Sequence, residues 1–270
     1  MSLDSIFDLE FVSVWKAVRL VATDVDGTLT RDGKFTPDLL AAFRQLADAG
    51  VRVVLITGRS AGWVQGLHHY FPVAGAIAEN GGIFYSGKRD DPELLTIVDN
   101  LAEHRRKLSG QFELLKAEFP DLQESTDNRF RITDWTFDVA GLGRSQLEML
   151  ANLCDRGGWG FTYSTVQCHI KPPFQDKATG LRRVLSRYFS DLEIGQVVTV
   201  GDSPNDESLF DGNQFPHSVG VANILDYCDR LQYQPAYVTS KAEVEGFCEL
   251  AELLGNFYHS RHGGHGGLIF

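Results

Sequence analysis

The chain has 270 residues, enough for one large domain or two small ones, and an apolar fraction of 43% that suits a globular protein with a real core. A formal net charge of −11 argues against a nucleic-acid binder or a cationic membrane binder. An anionic substrate stays open, because salt screens the distant field beyond about 10 Å.

The four cysteines (Cys154, Cys168, Cys228 and Cys248) have neither metal nor disulfide spacing and are expected to be reduced. No apolar run approaches the ~20 residues that span a bilayer, and the first residues lack a signal-peptide pattern, so cytoplasm is the expected location. Residues 1–16 mix aromatic and acidic side chains and read as an appended arm or short helix.

Residues 18–23 form an apolar strand that ends in Asp24-Val25-Asp26-Gly27-Thr28. Side chains two apart on a strand share a face, so Asp24 and Asp26 can reach one site at its carboxyl end, where open α/β sheets place ligands. Two like charges this close call for a cation, a shared proton or both. Thr36 and Pro37 open a helix through Leu39, Leu40, Phe43 and Leu46, which Gly50 stops. A second strand over 51–56 closes in Thr57-Gly58-Arg59-Ser60, and a helix and a short strand around 76–78 follow. Alternating strands and helices predict a parallel sheet covered on both faces.

The middle breaks this rhythm. A charge-rich helical pattern covers about 92–119, and two alternating polar strands are expected over 122–140. A helix with Leu147, Met149, Leu150 and Leu153 follows, stopped by Gly157-Gly158, then two strands near 159–163 and 166–171. The order α-β-β-α-β-β reads as a separate α+β module with borders near Tyr85 and Pro172-Pro173. The first rhythm resumes with a helix over 176–189 and a strand over 197–200 ending in Gly201-Asp202-Ser203-Pro204-Asn205-Asp206. Short strands near Val219 and 237–238 and a last helix through 247–254 complete it. The expected division is an arm (1–16), a Rossmann-like parallel-sheet core (17–84 and 173–258), an inserted module (85–172) and a flexible Gly/His tail (259–270) with His262 and His265.

Three strands thus end in polar groups that parallel pairing brings to one sheet edge. Asp24, Asp26, Asp202, Asn205 and Asp206 form an oxygen-only set, which favours Mg²⁺. Thr57 and the Gly58 amide can donate to phosphate oxygens, and Lys177 can reach in as a point charge. Each singly also reads as an ordinary turn, cap or solvated residue. Together they point to phosphate chemistry.

Asp-Val-Asp-Gly-Thr, Ile-Thr-Gly-Arg, a lysine and Gly-Asp-Ser-Pro-Asn-Asp, in this order, resemble the four-motif signature of the haloacid dehalogenase-like (HAD) phosphohydrolases. The insert stands where that family's C2 caps stand, and Glu79-Asn80-Gly81-Gly82 is similar to its IIB subclass, which includes Cof-type, sucrose-phosphate and mannosyl-3-phosphoglycerate phosphatases. The resemblance implies Asp24 as nucleophile, Asp26 as general acid and base, and Mg²⁺ held by Asp24, the Val25 carbonyl and Asp202, with Asp206 and Asn205 ordering its waters. It also implies that Thr57, Gly58 and Lys177 neutralise the phosphoryl group. Arg59, Asn80, Arg129, Arg131 and His169 are the candidate substrate contacts, with Asp127, Asn128 and Lys171 as further polar candidates in the insert. The expected activity is a Mg²⁺-dependent phosphatase for a small phosphorylated sugar or polyol, acting as a monomer or homodimer. A hexose-phosphate mutase, which would need cations such as Arg129 and Arg131 for a second phosphate, and a non-catalytic phosphosugar binder are the alternatives.

Overall fold

The computed structural model describes residues 3–8, 11–87 and 91–262, the last five by their backbone alone. Apolar, β-branched strands build its centre: β2 (Leu20–Thr23), β3 (Arg52–Ile56), β4 (Gly75–Ala78) and β10 (Val197–Gly201). All but Arg52 are buried throughout, as central strands covered on both faces must be. They lie in a nine-stranded sheet of order β1-β12-β11-β10-β2-β3-β4-β5-β6. Its outer strands are β1 (Asp4–Ser5), β11 (Ser218–Gly220) and β12 (Tyr237–Val238) on one side, with β5 (Ile83–Ser86) and β6 (Glu93–Leu94) on the other. Pairing is parallel from β1 to β4 and antiparallel at β5 and β6.

Alternation along each strand splits the core into two layers. Val21, Val53, Leu55, Val198 and Val200 face one way with α1 (Val12–Ala17), α2 (Pro37–Asp48), α3 (Ala61–Tyr70) and α7 (Glu243–His262). Leu20, Ala22, Val54, Ile56 and Ile77 face the other, against Leu181, Val184 and Leu185 of α6 (Lys177–Tyr188). The fold is the expected α/β class with a Rossmann-like sheet. In α2, Leu39, Phe43 and Leu46 pack inward but Leu40 is exposed, one step off the buried stripe.

A second, three-stranded antiparallel sheet, β7-β9-β8, joins β7 (Trp135–Asp138), β9 (Gln167–Lys171) and β8 (Gly160–Tyr163). With α4 (Leu101–Glu118) and α5 (Arg144–Arg156) it encloses a separate apolar cluster around Phe112, Phe137 and Leu150.

Three expectations change. Four strands were expected in the insert, yet over 122–140 only β7 is a strand, joined by a single bridge from Glu124 to Phe137. Residues Thr126–Phe130 turn into a 3₁₀ helix because the Asn128 side chain takes over the ladder: its Oδ1 accepts from Thr136 N (2.9 Å) and its Nδ2 donates to Thr136 O (2.7 Å). Of the two readings of 1–16, the short helix has its counterpart in α1, whose Trp15 is buried against the Tyr237 ring, and β1 adds a strand to the sheet beside β12. The main sheet also runs on to Leu94, past the border expected near Tyr85. Of the expected flexible tail, 259–262 continue α7 and 263–270 fall outside the described residues.

Candidate active site

Parallel register decides what meets at the sheet edge. Thr23 pairs with Val200 on one side and Leu55 on the other, so the residues that follow each strand emerge side by side. Asp24 is 3% exposed, Asp202 and Asp206 are fully buried, and one oxygen of each lies within 4.8 Å of the others. Lys177, the first residue of α6, is fully buried and donates to Asp24 Oδ1 (2.5 Å) and Asp206 Oδ1 (2.6 Å). Asp206 Oδ2 accepts from the amides of Asp202 (3.0 Å) and Ser203 (3.2 Å). Asp202 accepts from Thr28 Oγ1 (3.2 Å) and Asn223 Nδ2 (2.9 Å). Gly27 sits at φ +79°, and a Cβ there would stand 2.3 Å from Asp202 Oδ2, so both turn and close approach require glycine.

Burial dominates the electrostatics. It pushes Asp24 up to about 7, helped by Asp206 and Asp26 and opposed by Lys177. Asp202 is raised by burial too, with Asp24 and Asp206 adding to it. Burial works against the Lys177 ammonium, but Asp206 and Asp24 outweigh it and strengthen its hold on the proton. Three carboxylates face one ammonium. A buried, oxygen-only donor set with surplus negative charge fits a hard divalent cation such as Mg²⁺.

Asp26 stands apart from that group. Its carboxylate takes a bidentate pair from Arg59, Nε to Oδ2 (2.7 Å) and Nη2 to Oδ1 (2.5 Å). Among the candidate metal ligands, Asp26 is therefore turned to Arg59. Asn205 is turned to Ser203 and Asn80, and neither belongs to the three-acid cluster. The Thr57 loop is tied on both ends: Arg59 N donates to Thr57 Oγ1 (3.1 Å) and Asn80 N to Thr57 O (3.0 Å). Asn80 Nδ2 is buried with no partner and points near Gly58, a donor left for a ligand oxygen.

The insert roofs this edge. Ser164, Val166, Gln167 and His169 face Asp24, Asp26, Thr57, Gly58, Arg59 and Asn205 across a cleft of about 10 Å³, room for one water. His169 is buried with Nδ1 2.9 Å from Asp134 Oδ2, and its other edge lies against Gly58, where a Cβ would be 2.9 Å from Cε1. Burial lowers its affinity for a proton against the pull of Asp134. A larger hollow of about 380 Å³ on the insert, lined by Phe119, Leu122 and Asp138 among others, holds none of these converging groups.

The two candidate arginines of the insert part company with the expectation of substrate contact. Arg129 is exposed and lies over the Phe130 ring, outside the cleft lining. Arg131 is buried and already engaged by Asp127, Asp134, Gln167 and the Gly58 carbonyl. Lys171, also buried, donates to Gln175 O (2.6 Å). Sequence reasoning assigned no role to Glu79, whose carboxylate gathers the amides of Ala61, Ile132 and Thr133, nor to Asn223, Ser164 or Gln167. Glu79 precedes Asn80-Gly81-Gly82, a turn-rich run that signalled a special backbone, and both Glu79 and Asn80 adopt positive φ. Asn223 lies in the 3₁₀ helix Ala222–Asp226, Ser164 between β8 and β9 and Gln167 on β9, none with a local signal.

The family model for haloacid dehalogenase-like hydrolases matches residues 21–109. A curated relative from Methanothrix thermoacetophila, a phosphoglycolate phosphatase, is 31% identical over 241 residues, 87% of this chain and 96% of its own. A solved structure from Thermoplasma acidophilum superposes with TM-score 0.70 at 22% identity, covering 87% of this chain and 99% of that one. The sucrose-phosphatase of Synechocystis gives TM-score 0.64 at 16% identity over 87% and 97%. Four motifs meeting at one sheet edge and a relative similar along nearly its whole length lead to one conclusion: this chain belongs to the haloacid dehalogenase-like hydrolases.

Proposed function

We propose that this hydrolase is a Mg²⁺-dependent phosphatase for a compact phosphate monoester, working through an aspartyl-phosphate on Asp24. The observation that carries the reading is Asp24 itself, buried, held on one oxygen by Lys177 and flanked by Asp202 and Asp206. Lys177 takes Oδ1, so attack falls to Oδ2. The Oδ2–P bond forms as the ester P–O bond breaks, and Asp26 gives its proton to the departing oxygen. Water then attacks phosphorus, Asp26 takes a proton from it, and the bond to Asp24 breaks to release phosphate. Arg59 must let go of Asp26 for the first proton transfer, and the incoming phosphate dianion is the rival acceptor for its guanidinium.

Thr57 Oγ1, the Gly58 amide and Lys177 stabilise the transferring group, for which positioning and charge dominate catalysis. A bound Mg²⁺, held by Asp24, Asp202 and Asp206, would supply the countercharge for phosphate beside these acids. The insert from α4 to β9, residues 101–171, acts as a cap: with about 10 Å³ free in the cleft, it moves aside to admit substrate, and its closure excludes water. A tight roof favours a short leaving group, in line with the phosphoglycolate phosphatases among the relatives. Small sugar and polyol phosphates form the other arm of the same reading. A mutase would need free cations for a second phosphate, and Arg131 is committed to carboxylates.

The test is phosphate release from 2-phosphoglycolate and a panel of sugar and polyol phosphates, with Mg²⁺ and with EDTA. Turnover of at least one ester that needs Mg²⁺ is expected. Isomerised hexose phosphate without free phosphate, or binding without turnover, would replace the reading.

A further inference from the structure

Residues 130–134 form one of the insert's contacts with the main sheet edge, reaching the start of α3, Glu79 and the Gly58 carbonyl. Phe130 covers the start of α3, where a Cβ on Gly62 would stand 3.1 Å from its own Cβ. Ile132 N and Thr133 N donate to Glu79 (3.0 and 2.6 Å), as does Thr133 Oγ1 (2.8 Å). Between these anchors Arg131 Nη1 donates to the Gly58 carbonyl at 2.9 Å. Its guanidinium is held in place by Asp127, Asp134 and Gln167, and its side chain is fully buried.

The Gly58 carbonyl belongs to the Gly58–Arg59 peptide, whose N–H donates to Thr57 Oγ1 at 3.1 Å. A hydroxyl that accepts through one lone pair keeps its own proton for another acceptor. A charged donor on the carbonyl also polarises the peptide and strengthens its N–H. One peptide unit therefore links the buried cation of the insert to the hydroxyl that lines the cleft.

We propose that Arg131 is a positioning residue for phosphoryl binding, which by docking on the Gly58 carbonyl aims the Thr57 hydroxyl and the Gly58 amide at the phosphoryl oxygens. The inference rests on the phosphatase reading and specifies how closure of the insert is felt by the reacting end of the substrate. The phosphoryl site is complete only when the insert is docked. Arg131 itself touches no substrate, so its effect is the same whatever alcohol leaves.

The experiment compares Arg131→Gln and Arg131→Lys with wild type and with Arg129→Gln as the exposed neighbour. It reads kcat and KM for 2-phosphoglycolate and p-nitrophenyl phosphate, the Kd of inorganic phosphate with Mg²⁺ by calorimetry, and Tm. Arg131→Gln is expected to lose about 10–100-fold in kcat/KM by the same factor for both esters, the scale of a small misplacement. Its phosphate Kd weakens in parallel. Lysine restores part of the loss, since it keeps the charge without the planar fork, and Arg129→Gln changes nothing. An unchanged phosphate Kd in Arg131→Gln, or a loss confined to one ester, overturns the proposal. If Arg131→Gln fails to fold, Asp127→Asn loosens one anchor and must give a smaller loss shared by both esters; a loss on one ester alone, or none, refutes it. If wild type hydrolyses no ester, the phosphatase reading falls, while the phosphate Kd values still decide the role of Arg131.

Discussion

Two buried cations flank the cleft, and they are used differently. Lys177 lies between Asp24 and Asp206, and Arg131 between Asp127 and Asp134, each with a fully buried side chain. Around Lys177 a third acid, Asp202, joins without a further cation, so the group keeps surplus negative charge and a geometry open to a divalent ion. Around Arg131 every direction is closed by a partner, including Gln167 and the Gly58 carbonyl. The same motif of a cation between carboxylates is thus open to a divalent ion where charge is left unbalanced and closed to one where the hydrogen bonds are complete.

Removing the reactive centre should break the comparison most sharply. Asp24→Asn is expected to lower phosphate release by at least about 10³-fold with the fold intact by circular dichroism, a loss of the size seen for nucleophile deletions. EDTA should abolish turnover and added Mg²⁺ restore it, with no change in wild-type circular dichroism. Next in size are the cations. Lys177→Met and Arg131→Met each leave buried carboxylates unpaired, a cost of about 3–5 kcal/mol in chemical unfolding. Mg²⁺ should recover part of that loss for Lys177→Met and none for Arg131→Met, since ligand oxygens converge only on the first side.

A pH series sharpens the contrast further. Burial holds the Asp24 carboxyl at about 7 against an ordinary 3.8, so the folded protein binds this proton more tightly than the unfolded chain. Its stabilising contribution is full below 3.8 and is lost as pH rises through about 7. Tm measured in EDTA should therefore fall between about pH 5 and 8, by on the order of 5 °C, and Mg²⁺ should flatten the curve. The smallest effect concerns the junction. Glu79→Gln replaces one carboxylate oxygen by an NH₂ that faces the N–H of either Ala61 or Thr133, and should cost about 1–3 kcal/mol in chemical unfolding.

What the sequence determined by itself was local. Apolar strands alternating with helices gave the parallel sheet, because burial on both faces leaves a near-continuous apolar run. Carboxylates directly after strands gave the acid cluster, because parallel strands share one carboxyl edge. The fold class and the acids Asp24, Asp202 and Asp206 were legible for that reason. Tertiary structure alone decided which polar residues are free. Arg129 and Arg131 look alike in the sequence, yet one is exposed and the other closed in by Asp127, Asp134, Gln167 and Gly58. Of the two strands expected over 122–140 only Trp135–Asp138 formed, and the Asn128 side chain bonds both backbone groups of Thr136. Periodicity records which face a residue turns inward; the partner it meets there, such as Asp24 for Lys177 153 positions away, exists only once the chain has folded.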